Sequence, residues 1–168
     1  MWTLIYSCLI NAFISYKYNK HINKHMFFIE LSIEAYSLYK KDLVFFILFT
    51  ILLTQSITDY INHDVYSILN YCLALLMLIL ISPKPINIVY SLSIPIGLFI
   101  INKFMKGMGS GDLELLVSLS FVFNFQSLLQ IVFLSSLFNL LYSFFVKKDS
   151  YSFVPFLSIS CLIIYLFK

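Results

Sequence analysis

Two aspartates stand where apolar runs of the chain meet short polar connections. Asp59 closes the apolar stretch 43–58 within TQSITDYINHDVYS, and Asp112 ends the stretch GMGSGD, Gly107 to Asp112. One carboxylate rarely hydrolyses a peptide bond. Two held close together can, because they do not both ionise easily and come to share a proton. The ionised partner then draws a proton from water while the neutral one polarises the scissile carbonyl. Asp64, at the start of the next apolar run, is the other acid that could partner Asp112. Were 59–63 helical, Asp59 and His63 would share a face at i, i+4, with Asp64 pointing away.

The glycines admit two readings. Gly107, Gly109 and Gly111 are three of only four glycines in the chain, spaced at alternate positions. They could form a plain turn, with Asp112 as N-cap and Glu114 favourably placed in the first helical turn. A turn, however, needs one or two residues of positive φ rather than three in five positions. The alternative is steric: without Cβ atoms, Gly109 and Gly111 let the backbone approach another helix or an extended peptide closely. Phosphate binding does not fit, since the stretch lacks the GK[ST] ending of a P-loop and the GxGxxG spacing.

No metal or cofactor site is expected. Cys8, Cys72 and Cys161 are isolated in apolar segments without a CxxC pair, and His21 and His25 lack an accompanying acid or cysteine.

The elements that must position these residues are membrane helices. The 168 residues are 61% hydrophobic and 11% charged, far from the composition of a soluble domain. Apolar runs of spanning length predict an all-α polytopic membrane helix bundle of about eight transmembrane helices (six to eight), in one integral membrane domain over 1–168. The expected helices lie near 1–16, 26–39, 43–58, 65–82, 86–102, 113–124, 127–146 and 151–167. The segment 26–39 carries Glu30 and Glu34 and also suits an interfacial helix. Lysines follow the first apolar stretch rather than precede it, which predicts a first spanning helix with its N-terminus outside and not a cleaved leader. With eight spans, the inner side holds Lys17, Lys20, Lys24, Lys103, Lys106, Lys147 and Lys148, and the outer side Lys40, Lys41, Lys84 and Lys168. This agrees with the positive-inside rule and puts Asp59 and Asp112 at cytoplasmic helix ends. Pro95 and Pro155 fall inside expected spans, where a proline can kink a helix. The net charge of +3 suits membrane topology, not nucleic-acid binding.

At these residues the chain resembles the type IV prepilin peptidases, membrane aspartyl proteases with a GxGD motif. Gly107-Met108-Gly109-Ser110-Gly111-Asp112 matches their GMGxGD stretch, Leu115 takes the place of a usual leucine, and Asp59 matches their first catalytic aspartate. Phe153, Pro155 and Phe156 are similar to the family's Pro-Phe-containing last helix. The chain departs from the family at Glu114, where a basic residue is usual, at Val65-Tyr66, where Ile-Pro is common, and in lacking a CxxC-bearing loop after the first helix. Its length and missing cysteine loop resemble the short Gram-positive forms serving competence or pseudopilus systems.

The resemblance implies a bacterial multi-pass cell-membrane endopeptidase whose active site faces the cytoplasm. Asp59 and Asp112 would be catalytic, and Gly107, Gly109 and Gly111 would shape the backbone. The substrates would be prepilin or pseudopilin proteins, cut after a glycine to release a short basic leader. No cofactor and no nucleic acid are implied. Asp64, Glu114 and Asp149 are the acids that could receive such a leader. The sequence assigns no residue to methyl transfer. A non-catalytic membrane protein, either a small transporter or a secretion-complex subunit, is the alternative. A transporter would carry inverted repeats or paired broken helices, and neither is found.

Overall fold

The computed structural model describes residues 43–105, 108–145 and 152–167. The helices expected near 1–16 and 26–39 lie outside the described residues, as do Gly107 and Asp149. Among the described residues there are six helices and no strand: α1 Leu43–Asn62, α2 Ser67–Ile81, α3 Pro85–Met105, α4 Ser110–Leu119, α5 Phe125–Phe145 and α6 Val154–Leu166.

Helices form here because the apolar runs have no other way to satisfy their backbone in hydrocarbon. Their polar side chains are absorbed locally. In α1 the Thr50 hydroxyl donates to the Phe46 carbonyl at 2.7 Å, and Thr54 donates to that of Thr50 at 2.8 Å. Pro95 lies inside α3 and cannot supply the helical N–H to the Ser91 carbonyl four residues earlier. Pro155, expected inside a span, instead falls in the first turn of α6, where its missing N–H costs nothing.

Among the described residues, three helices are long and apolar enough to cross a membrane, over Leu43–Tyr60, Pro85–Phe104 and Phe125–Phe145; α2 and α6 are apolar but shorter. Only 11% of the α3 span and 17% of the α5 span are buried within the protein. Val89, Phe99, Phe104, Phe133 and Phe144 are exposed along them. So much uncovered aliphatic and aromatic surface is stable only against lipid, and the chain is a membrane protein.

α4 departs from the expected helix 113–124. It begins at Ser110, has ten residues and is about 15 Å long, half a hydrocarbon core. A turn beginning at Ser120 stops it: the Ser120 hydroxyl donates to the Val117 carbonyl at 2.6 Å, and Val122 and Phe123 N–H groups return to Leu119.

The chain divides after Thr54 into two compact units. In the first, Phe45, Leu48, Phe49 and Leu52 are buried, with the Phe45 and Phe49 rings 4.5 Å apart. The second runs from Gln55 onward. There α4 packs Leu113, Leu115, Leu116 and Leu119 into the core and lies against α2, whose Leu73 and Met77 are fully buried. α5 packs on α3 and α6, with the Tyr142 and Phe156 rings 5.4 Å apart.

Candidate active site

Asp59 sits in the last turn of α1 and is only 6% exposed. Its carboxylate is seated on the N-terminus of α6. Oδ2 accepts the Val154 N–H at 3.0 Å, and the Phe153 N–H also reaches the carboxylate. A helix N-terminus presents unsatisfied donors and a positive dipole end, so an acid fits there. Neighbouring contacts fasten the same junction. The Ser152 hydroxyl donates to the Asp59 carbonyl at 3.0 Å and meets His63 Nδ1 at 3.3 Å. One turn earlier, Ser56 Oγ pairs with Ser158 Oγ at 2.5 Å. Phe153 is thus the N-cap residue of α6.

α1 ends at Asn62, and His63 takes the left-handed conformation with φ 57° while its N–H returns to the Asp59 carbonyl at 2.9 Å. His63 therefore does not continue the helical face of Asp59. Asp64 follows it, exposed, in the connection to α2.

Asp112 is the third residue of α4, and Gly109, not Asp112, is the N-cap. The Asp112 carboxylate reaches back to the Gly109 N–H, the second half of a capping box. Burial raises the Asp112 pKa, the Asp59 charge raises it further, and the Gly109 N–H offsets part; the result is about 6 against an ordinary 3.8. The two acids are thus within electrostatic reach of each other.

The glycines here act by size. Among the described residues no glycine has positive φ. A Cβ on Gly111 would stand 2.6 Å from the Val65 Cβ, and one on Gly109 would stand 3.3 Å from Asp112 Oδ2. Gly111 thereby lets the start of α4 press against the α1–α2 connection.

Three amide side chains hold this arrangement. Asn102 grips Met108 through both its polar atoms: Nδ2 donates to the Met108 carbonyl, and the Met108 N–H donates to Oδ1, each at 2.8 Å. Gln55 does the same to Tyr66, donating from Nε2 to the carbonyl and accepting from the N–H, each at 2.9 Å. Gln55 Nε2 also donates to Asn70 Oδ1 at 3.0 Å, and Asn70 Nδ2 donates to the Gly111 carbonyl at 3.3 Å. The Ser118 hydroxyl closes the set on the Asn70 carbonyl at 2.8 Å.

Glu114 lies in the second turn of α4, and its Oε2 is buried without a hydrogen-bond partner among the described residues. No cluster of three or more His, Cys, Asp or Glu suited to a metal ion occurs among the described residues.

The structure thus brings together Asp59, Asp112, Gly109 and Gly111 and leaves Asp64 in solvent. Sequence reasoning missed Gln55, Asn70, Asn102 and Ser152. The three amides did carry a signal: each interrupts an apolar helix, where a polar side chain must find a partner.

The profile of the Type IV leader peptidase family matches residues 46–144, a stretch running from α1 through α5 with both acids inside it. The chain belongs to that family, and its activity is that of a leader peptidase. No curated protein and no solved structure matches it.

Proposed function

We propose that the chain is an aspartic-type endopeptidase of a Gram-positive cell membrane. It removes the short basic leader of a prepilin-like or pseudopilin substrate, after a glycine, at the cytoplasmic face. Asp59 and Asp112 activate the water between them. The observation that carries this reading is the placement of the Asp59 and Asp112 carboxylates within electrostatic reach of each other, where burial first and the Asp59 charge second raise the Asp112 pKa to about 6.

In the proposed mechanism Asp112 enters the cycle protonated and donates to the scissile carbonyl oxygen. Asp59 takes a proton from water as the hydroxyl adds to the carbonyl carbon. The tetrahedral intermediate then breaks its C–N bond, its hydroxyl proton returns to Asp112, and Asp59 passes the water proton to the leaving amine. Both acids end in their starting states. Burial strengthens the proton sharing, since low local dielectric penalises two adjacent negative charges.

The cytoplasmic placement is supported by the lysine distribution. Leader binding falls to Asp64 in the α1–α2 connection and Glu114 with its buried Oε2, together with Asp149, whose position lies outside the described residues.

The test is coexpression with a prepilin-like protein carrying a basic leader, followed by mass spectrometry of its N-terminus. Cleavage by the native chain and none by Asp59→Asn or Asp112→Asn is the expected result. Leader removal by both variants would sink the proposal, and an uncut precursor with the native chain would point to a non-catalytic role.

A further inference from the structure

Gln55 and Asn70 are both fully buried, and neither touches the acids directly. Their geometry is over-determined. Tyr66 offers Gln55 one donor and one acceptor from its backbone, so the Gln55 amide has one orientation that satisfies both. Reversed, its oxygen would face the Tyr66 carbonyl and Asn70 Oδ1. That orientation leaves Nε2 to donate to Asn70 Oδ1, which turns Asn70 Nδ2 toward the Gly111 carbonyl.

The carbonyl so gripped belongs to the peptide linking Gly111 to Asp112. Gln55 stands one helical turn before Asp59 on α1, on the same side at i, i+4. The connection that Gln55 clasps also carries Val65, the residue pressed on Gly111. Gly111 is therefore held from two directions, by hydrogen bond and by contact, and both holds refer back to Gln55, one turn before Asp59 on α1.

We propose that Gln55 and Asn70 are positioning residues that set the separation of Asp59 and Asp112 through the Gly111–Asp112 peptide. The inference rests on the reading of the two acids as the catalytic pair. Low dielectric strengthens such an amide chain while every member is satisfied, and makes it costly to break.

Among the described residues, Asp59 acts on Asp112, and the charges of His63 and Asp64 reach Asp59. Neither Gln55→Met nor Asn70→Leu alters any of them, and both keep the side-chain length while removing the amide. Loosening the pair weakens the Asp59 influence on Asp112.

Purified enzyme in lipid nanodiscs, with a synthetic leader-bearing peptide, gives the test. Each variant is expected to lose roughly tenfold to a hundredfold in kcat with KM within about twofold, and the alkaline limb of its kcat–pH profile is expected to move to lower pH. A purely structural role would lower the amount of folded enzyme and leave the limb in place. Wild-type kcat and limb in either variant, with native-like melting, overturn the inference while Asp59→Asn and Asp112→Asn stay inactive. If those two variants cleave normally, the underlying catalytic reading fails instead. Should one amide variant not accumulate, the other carries the same measurement from the opposite end of the chain of bonds.

Discussion

Gly111 and Val65 approach so closely that a Cβ on the glycine would stand 2.6 Å from the Val65 Cβ and 3.1 Å from its Cγ1. The obstacle is the root of a side chain, which moves only with its backbone. Gly111→Ala should therefore push α4 away from the α1–α2 connection and lower cleavage at least about tenfold. Val65→Gly removes the clashing atoms and should restore part of the loss, whereas Val65→Ala keeps the Cβ and should not. Initial cleavage rates of the single and double variants decide this.

Asp64 serves as the internal control for the acid pair. It is exposed, while Asp59 is buried. Asp64→Asn should keep most of the native cleavage rate under conditions in which Asp59→Asn and Asp112→Asn release no leader. Loss of cleavage in Asp64→Asn comparable to theirs would shift the assignment to Asp64.

The raised Asp112 pKa has a definite sign. Between 3.8 and about 6 this group keeps a proton that an ordinary aspartate has lost. A reaction needing protonated Asp112 should slow as pH rises through about 6. The folded chain also binds this proton more tightly than the unfolded chain does. The stability it contributes is thus fully present below 3.8 and lost on raising the pH through about 6. Melting in detergent across this range should show the fall in the native chain and a flatter profile in Asp112→Asn.

Asn102→Ala removes both bonds to Met108, each worth about 1 kcal/mol, and releases the start of the glycine-rich turn. Cleavage should drop while helix content by circular dichroism stays the same. Unchanged cleavage would show that the turn holds its shape without the clasp.

Charge reversal tests leader recognition. Glu114→Lys should raise KM for a substrate with a basic leader and leave a neutral-leader peptide little affected. Equal losses for both peptides would place the effect of Glu114 in folding of α4 rather than in binding.

Much of this arrangement was legible in composition and spacing. The apolar runs marked α1, α2, α3, α5 and α6 to within a few residues, because length and hydropathy alone determine where a chain can stay in hydrocarbon. α4 was misjudged at both ends. Ser110 and Gly111 look like loop residues, yet Gly109 caps the helix and Asp112 completes the cap from inside. The acids could be picked out by position, but not their surroundings. The donor to Asp59 is Val154, 95 residues away, and no local pattern encodes that distance. The amides gave a readable sign only in retrospect: a glutamine or asparagine in an apolar helix announces a partner without naming it.

The uncovered flanks of α3 and α5 confine the enzyme to a thin film, so under the proposed function a substrate held in the same bilayer would be met by a two-dimensional search. Crowding per unit of bilayer area, not molarity in the flask, sets how often they meet. Adding empty vesicles that fuse with a reconstituted mixture should slow turnover although no solute concentration has changed. Apparent affinities for this protein are therefore best expressed as mole fractions of lipid.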